Sequence, residues 1–286
     1  MAAPFPPAGA ADCHEHVIGP KARFPLARAR SYTPMDAPTD ALAAMLKRLG
    51  LDRVVLVQPS FYGTDNACML DCMAALPGSR GVAVLPAQAP GSELDELDRR
   101  GVRGLRVNIA TAGTASLEAM RADIAAAAEL CARNGWHVQV FVPAAALAPL
   151  APTLQALPVD TVVDHFGLIA PGSDGEPLET LLRLIGGGKA WVKISGAYRI
   201  AEDPADPRID ALARRLVAAN PERIVWGSDW PHTPKHGVRK PGEAEELPFQ
   251  DIDTAGLLAL VPRWLKDDAL VARVLVRNPA RLYGFA

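Results

Sequence analysis

Eight short runs rich in β-branched and aliphatic residues recur along this chain, and stretches rich in alanine and leucine separate them. The runs lie at 11–17, 52–58, 80–85, 102–109, 136–142, 160–165, 190–195 and 223–229. Helical stretches are predicted near 39–50, 64–76, 92–100, 116–134, 144–157, 176–187 and 207–220, and further helix near 251–262 and 267–276. Such alternation builds parallel βαβ units with right-handed crossovers. The runs are apolar throughout rather than alternating, as expected of strands covered on both faces. A count of eight predicts an α/β fold of one class, a single closed (β/α)8 TIM barrel with its active site at the C-terminal ends of the strands. No run is followed by GxGxxG or by a GxxxxGK phosphate loop, which removes the nucleotide-binding motifs of open sheets.

A barrel of this kind accounts for all 286 residues as one domain, 1–286, with 1–10 expected to be flexible. The 49% of hydrophobic residues is enough for a large core. Thirty basic and 32 acidic side chains leave a net charge of −2, which argues against a nucleic-acid or membrane partner held by bulk electrostatics. A small anionic substrate needs only a few placed arginines, so that class stays open. The start of the chain lacks the basic and apolar regions of a signal peptide, and no apolar stretch reaches membrane-spanning length. Cys13, Cys68, Cys72 and Cys131 form no CxxC pair and read as buried thiols, so a cytoplasmic location is expected. Homo-oligomerisation is left open.

Polar residues at the predicted strand ends carry the chemistry. The first strand holds His14-x-His16, preceded by Asp12. Strict alternation would aim Asp12, His14 and His16 into one space and turn Cys13 and Glu15 the other way. The second strand ends in Gln58 and leads into Ser60 and Tyr62, and the fourth carries Arg106 and Asn108. The sixth closes with Asp164-His165 and the seventh with Lys193, Ser195, Tyr198 and Arg199. The eighth closes with Asp229, followed by Trp230, Pro231 and His232. Each has a bland reading alone: a core histidine, a helix-capping aspartate, a surface arginine, or a Lys193 that alternates outward and pairs on the barrel exterior. Together, three histidines and an aspartate converge on one mouth, which scattered structural residues would not do. His137 opens the fifth strand at the opposite, stability-determining end. His236, in the loop after the last strand, is unassigned.

The stretches DCHEH, VQPSFYGTDN, GLRVNI, VVDHFG, VKISGAYR, WGSDWPHT and RNPARLYGF resemble the amidohydrolase superfamily. The match is closest to the amidohydrolase-2 branch that holds 2-pyrone-4,6-dicarboxylate lactonases and related sugar lactonases. The resemblance implies that His14, His16 and His165 line the reaction centre and that Asp229 deprotonates the attacking water. It further implies that Tyr32 positions the lactone and that Arg106 and Arg199 hold substrate carboxylates, with Ser60 counted among the binding residues. Two positions depart from the pattern. Leu168 stands where an arginine is usual and Phe141 where a tyrosine is usual, so one carboxylate-binding half loses polar contacts. Metal-dependent relatives add a lysine or glutamate on strand four and a histidine on strand five; strand four here has neither lysine nor glutamate, and strand five offers Gln139 and Phe141 near its end. The expectation is therefore a lactonase acting on a small anionic lactone without a required cofactor. The alternative is Zn2+ on His14, His16, His165 and Asp229, serving a decarboxylase or hydrolase of a small aromatic or muconate-type acid. A barrel that only binds such an acid would be expected to lose Asp229 or a histidine, and all are present.

Overall fold

The computed structural model describes residues 4–110, 116–234 and 245–286. Eight strands run in chain order through one sheet: β1 (Ala11–Glu15), β2 (Arg53–Val57), β3 (Arg80–Ala83), β4 (Val102–Asn108), β5 (His137–Phe141), β6 (Thr161–Val163), β7 (Ala190–Ser195) and β8 (Ile224–Gly227). Each pairs in parallel with the next. The sheet closes on itself where Glu15 bridges Trp230 in parallel, and where the Asp229 amide donates to the His14 carbonyl at 2.9 Å. Helices α1 (Thr39–Leu49), α2 (Ala67–Ala75), α3 (Gly91–Arg99), α4 (Leu117–Asn134), α5 (Leu147–Ala156), α6 (Glu176–Gly186) and α7 (Pro207–Ala219) connect the strands. The fold is the (β/α)8 barrel expected. A separate pair of two-residue strands, Thr33–Pro34 and Glu246–Leu247, is too short to leave a signal in the sequence.

Local chemistry sets the helix limits. Ser116 caps α4 by accepting from the Ala119 amide, and Asp206 caps α7 ahead of Pro207. Along α6, Leu178, Leu181, Leu184 and Ile185 repeat at helical spacing and are all buried. Inside the barrel, Ala11, Cys13, Val55, Val57, Val82, Val162, Trp191 and Val225 form an apolar floor closed by Tyr283 and Phe285. All four cysteines are buried and unpaired. The Gly9 amide donates to Asp52 at 2.6 Å, Ala10 is buried, and residues 1–3 lie outside the described residues. Among the described residues, no helix is long and apolar enough to cross a membrane.

Two expectations are corrected here. The register of β1 on β2 slips, with Asp12 opposite Val54 but Glu15 opposite Leu56, so alternation breaks between them. Cys13 therefore packs in the floor, and the neighbouring His14 also enters the barrel, against Gly227. Asp12 does not join the histidines. Its Oδ1 accepts from the amides of Ser228 (2.9 Å) and His14 (3.1 Å), and its side chain hydrogen-bonds Glu15. Lys193 does not reach the exterior. Val192 and Ile194 pack in the outer core with the helices while Trp191 packs in the floor, so the alternate positions, Lys193 among them, turn inward. Lys193 is fully buried.

The close approach of β8 to β1 generates a test. A Cβ on Gly227 would stand 2.6 Å from His14 Cβ and 2.7 Å from its backbone nitrogen. Gly227→Ala should cost about 1–3 kcal/mol through overpacking. Gly186→Ala, at a helical site whose nearest atom would be 3.7 Å away, should be neutral or stabilise by up to ~1 kcal/mol. Urea denaturation of the two variants checks this contrast.

Candidate active site

The C-terminal ends of β1, β6 and β8 bring His14, His16, His165 and Asp229 into one buried cluster. The His14 and His16 rings lie 5.0 Å apart and nearly perpendicular, and the His14 and His165 rings lie 4.5 Å apart. Asp229 Oδ1 is 3.8 Å from His14 Nε2 and 3.7 Å from His16 Nε2. His16 Nδ1 contacts the Val57 carbonyl at 2.7 Å and must donate to it, so Nε2 turns a lone pair toward Asp229. His165 Nδ1 pairs with Ser195 Oγ at 3.0 Å. His165 and Asp229 have φ of 49° and 66°, left-handed values that non-glycine residues seldom adopt and that cluster at functional sites. Gly196 gives them room. A Cβ there would stand 3.0 Å from both Asp229 Oδ2 and His165 Nδ1.

The two oxygens of Asp229 are treated differently. Oδ2 accepts from Tyr198 Oη at 2.7 Å and from Arg199 Nε, while Oδ1 is buried with no hydrogen-bond partner. Burial alone would raise this carboxyl, but the Arg199 guanidinium above all holds it well below the usual carboxylate range. It is therefore an anion with one free oxygen. Burial keeps the imidazoles neutral: His16 falls to about 3 with help from Arg106, His165 to about 4, and His14 well below its ordinary value.

Tyr32, Ser60, Arg106 and Arg199 come together around one small pocket with His16, Asn108, Phe141, His165 and Thr233. Arg106 is buried and lies over the Phe141 ring. Its Nη1 reaches the Gln58 carbonyl at 3.3 Å and its Nη2 Asp164 Oδ2 at 3.5 Å, while Nε has no partner. Arg199 Nη2 donates to Thr233 at 3.0 Å. Phe141 is thus in the pocket, whereas Leu168 does not line it. Tyr198, Asp164, Gln139 and Lys193 belong to the site's framework although sequence gave them no role. For two of them the signal was adjacency: Tyr198 precedes Arg199 and Asp164 precedes His165. His137 lines the opposite end, near Trp191, Arg223 and Arg281. His232 bonds Thr254 at 2.8 Å behind Tyr198, and His236 lies outside the described residues.

The same side chains offer metal ligands. His14, His16 and Asp229 each offer a ligand atom within 4.8 Å of the others, and so do His14, Asp164 and His165. Imidazole nitrogens and a carboxylate suit zinc, and two of the candidate atoms, His14 Nε2 and Asp229 Oδ1, are buried without partners. The four residues expected to share one ion thus divide into two groups, with Asp164 replacing Asp229 beside His165.

A barrel whose mouth holds an ionised aspartate among neutral histidines defines a hydrolase-type site of the amidohydrolase kind. A family model described as amidohydrolase matches residues 11–285. The chain belongs to the amidohydrolase family. It is 34% identical to the 2-pyrone-4,6-dicarboxylate hydrolase of Comamonas testosteroni, over 97% of this chain and 90% of that one. It is 33% identical to the 4-sulfomuconolactone hydrolase of Hydrogenophaga intermedia, over 97% and 89%. A solved Acinetobacter baumannii protein, described as a probable 2-pyrone-4,6-dicarboxylic acid hydrolase with citric acid bound, matches with TM-score 0.78 and 26% identity over 97% and 100%. A Burkholderia multivorans amidohydrolase solved with bound zinc, TM-score 0.69 and 20% identical over 98% and 100%, shares the fold.

Neutral buried histidines make stability depend on pH. His137, remote from the mouth, has its value lowered by burial to about 3, against about 6.5 in an unfolded chain. Its contribution is fully present above pH 6.5 and is lost as pH falls toward 3, because the unfolded state binds the proton first. His137→Gln should remove about 2 kcal/mol of the stability lost between pH 7 and pH 5. Denaturant midpoints at the two pH values read the difference in slope.

Proposed function

We propose that this protein hydrolyses the ring ester of a small lactone bearing carboxylates, of the 2-pyrone dicarboxylate or muconolactone type. The observation that carries the reading is the unpartnered Oδ1 of an ionised Asp229, enclosed by three neutral imidazoles beside a pocket lined by two arginines. Substrate carboxylates pair with Arg106, whose Nε is unpartnered, and with Arg199. Tyr32 and Ser60 flank the ring. Asp229 Oδ1 takes a proton from water as the water oxygen bonds to the lactone carbonyl carbon. His14 and His165 stabilise the oxyanion, a contribution of a few kcal/mol per donor in such sites. The tetrahedral intermediate then collapses, the ring C–O bond breaks, and the proton held by Asp229 passes to the leaving oxygen. The phenylalanine at 141 makes one side of the pocket apolar, which favours a substrate with fewer anionic groups on that side than a pyrone dicarboxylate. The likeness to two lactone hydrolases over nearly the whole chain supports the same reaction class.

A divalent cation on His14, His16 and Asp229 is the second reading, favoured by their ligand-like spacing. Such an ion would polarise the carbonyl and acidify water.

A turnover screen over pyrone dicarboxylates, muconolactones and aldarolactones tests the first reading. Asp229→Asn should lose at least ~10²-fold in kcat, and near-native turnover by that variant removes Asp229 from the role of base. Elemental analysis and activity after chelation separate the two readings. Full activity in metal-free protein is expected from the first, and activity that returns only with added zinc from the second.

A further inference from the structure

The site as folded is shut. His14, His165 and Asp229 are at most 1% exposed, and the pocket beside them encloses about 10 Å³ of free space. That is room for about one water, whereas sites that take small organic ligands run to about 300 Å³ or more. Some part of the wall must therefore move to admit a ligand. Arg106, Asn108 and Phe141 stand on β4 and β5, His16 and His165 follow closely on β1 and β6, and Arg199 is tied to Asp229. Ser60 heads a helical turn whose Phe61 and Tyr62 are buried. Tyr32 differs. It lies on the connection from β1 to α1, residues 16–38, the longest of those that lead to α1–α7. Long connections of little secondary structure often serve as active-site covers.

Backbone bonds mark out the piece that can move. Ile18 and Ala37 exchange both of theirs, at 2.9 and 2.8 Å, and the Ala27 amide donates to the Phe61 carbonyl at 2.8 Å. Between these anchors Arg30 stiffens residues 28–36, donating from Nε to Thr33 Oγ1 at 2.8 Å and from Nη1 to the Ala27 carbonyl at 3.1 Å. At the rim, Thr33–Pro34 pairs with Glu246–Leu247, and Lys21 reaches Asp36 at 3.2 Å and Glu246 at 2.7 Å. Such partly exposed ion pairs hold weakly. Inside, the Tyr32 ring meets Phe61 edge-on at 5.5 Å, and the Tyr32 side chain hydrogen-bonds Thr233. Thr233 Oγ1 in turn accepts from Arg199 Nη2 at 3.0 Å, and the Thr233 carbonyl accepts from Gln250 Nε2 at 2.8 Å.

We propose that residues 28–36 are a flap that opens to admit a ligand, and that Thr233 is the positioning residue that clasps it shut by joining Tyr32 to Arg199. Closure then completes a chain from Tyr32 through Thr233 and Arg199 to the Asp229 carboxylate. The pocket wall and that carboxylate are set in one movement.

The kinetic consequence rests on the lactonase reading, whereas the flap does not, and its test needs no turnover. Diethyl pyrocarbonate acylates neutral imidazoles, so peptide mapping of modified His16 and His165 reads opening of the site, alongside hydrogen exchange at 28–36. In the native protein local opening should let both histidines react at a rate that low urea leaves unchanged. A rate that climbs with urea as global unfolding does overturns the flap. Thr233→Val keeps the side chain's shape but loses its hydroxyl, and should raise both acylation and flap exchange about fivefold, the scale of one hydrogen bond. Thr233→Ser keeps the hydroxyl and should stay near the native rates, and exchange in α1 should not change in either variant. Native rates in Thr233→Val, or an equal rise in Thr233→Ser, overturn the clasp. Should Thr233→Val not fold, Tyr32→Phe removes the same hydrogen bond from the other side and should give the same rise; no rise overturns the clasp. In a lactone assay Thr233→Val should lose about 10-fold in kcat/KM through the misplaced wall. A protein with the expected acylation pattern that opens no lactone overturns only the reaction reading.

Discussion

The site depends on how the Asp229 carboxylate is shared. Arg199 and Tyr198 hold one oxygen, and the other is left facing His14 and His16. A fully buried carboxylate is costly to keep charged, and a single arginine with a phenol offsets that cost without covering both oxygens. The result is an anion whose unpartnered oxygen is fixed in direction. The left-handed backbone at Asp229 is sustained by the closure of β8 on β1, where its amide is bound by the His14 carbonyl. The bond that completes the barrel thus also aims this carboxylate.

Beneath that carboxylate runs a polar column through an otherwise apolar barrel. Parallel register sets Arg106 opposite Gln139, and Asp164 follows directly on β6. Gln139 then bridges Asp164 to Lys193, and Lys193 reaches His14. Two cations and one carboxylate are desolvated together, an arrangement that gives little net stability and whose value lies in orientation. Below Lys193 the interior becomes apolar, with Cys13, Trp191 and Tyr283 closing the floor. The division of labour in (β/α)8 barrels, chemistry at one end and stability at the other, is visible in these side chains.

The strand pattern, the order of the elements and the convergence of His14, His16, His165 and Asp229 were legible because each follows from periodicity and from position at a strand end. Tyr32, Ser60, Arg106 and Arg199 were named through family resemblance, and they line one pocket. The role of Asp164 was not legible, because an aspartate at a strand end reads equally well as a helix cap. Tyr198 was hidden for a similar reason: its hydroxyl meets Asp229 across 31 residues of chain, a contact no local pattern encodes.

What the sequence determined by itself was the barrel and the end at which its chemistry lies, since both rest on repeat length and on the count of strands. What only the tertiary structure decided was which way individual side chains point. In a strand covered on both faces, hydrophobicity does not mark the inside, so Lys193 could be read outward while it lies at the centre. A single slip of register in β1 separated Asp12 from the histidines that alternation had placed beside it. Alternation holds only while the ladder is regular, and whether it is regular is settled by the neighbouring strand.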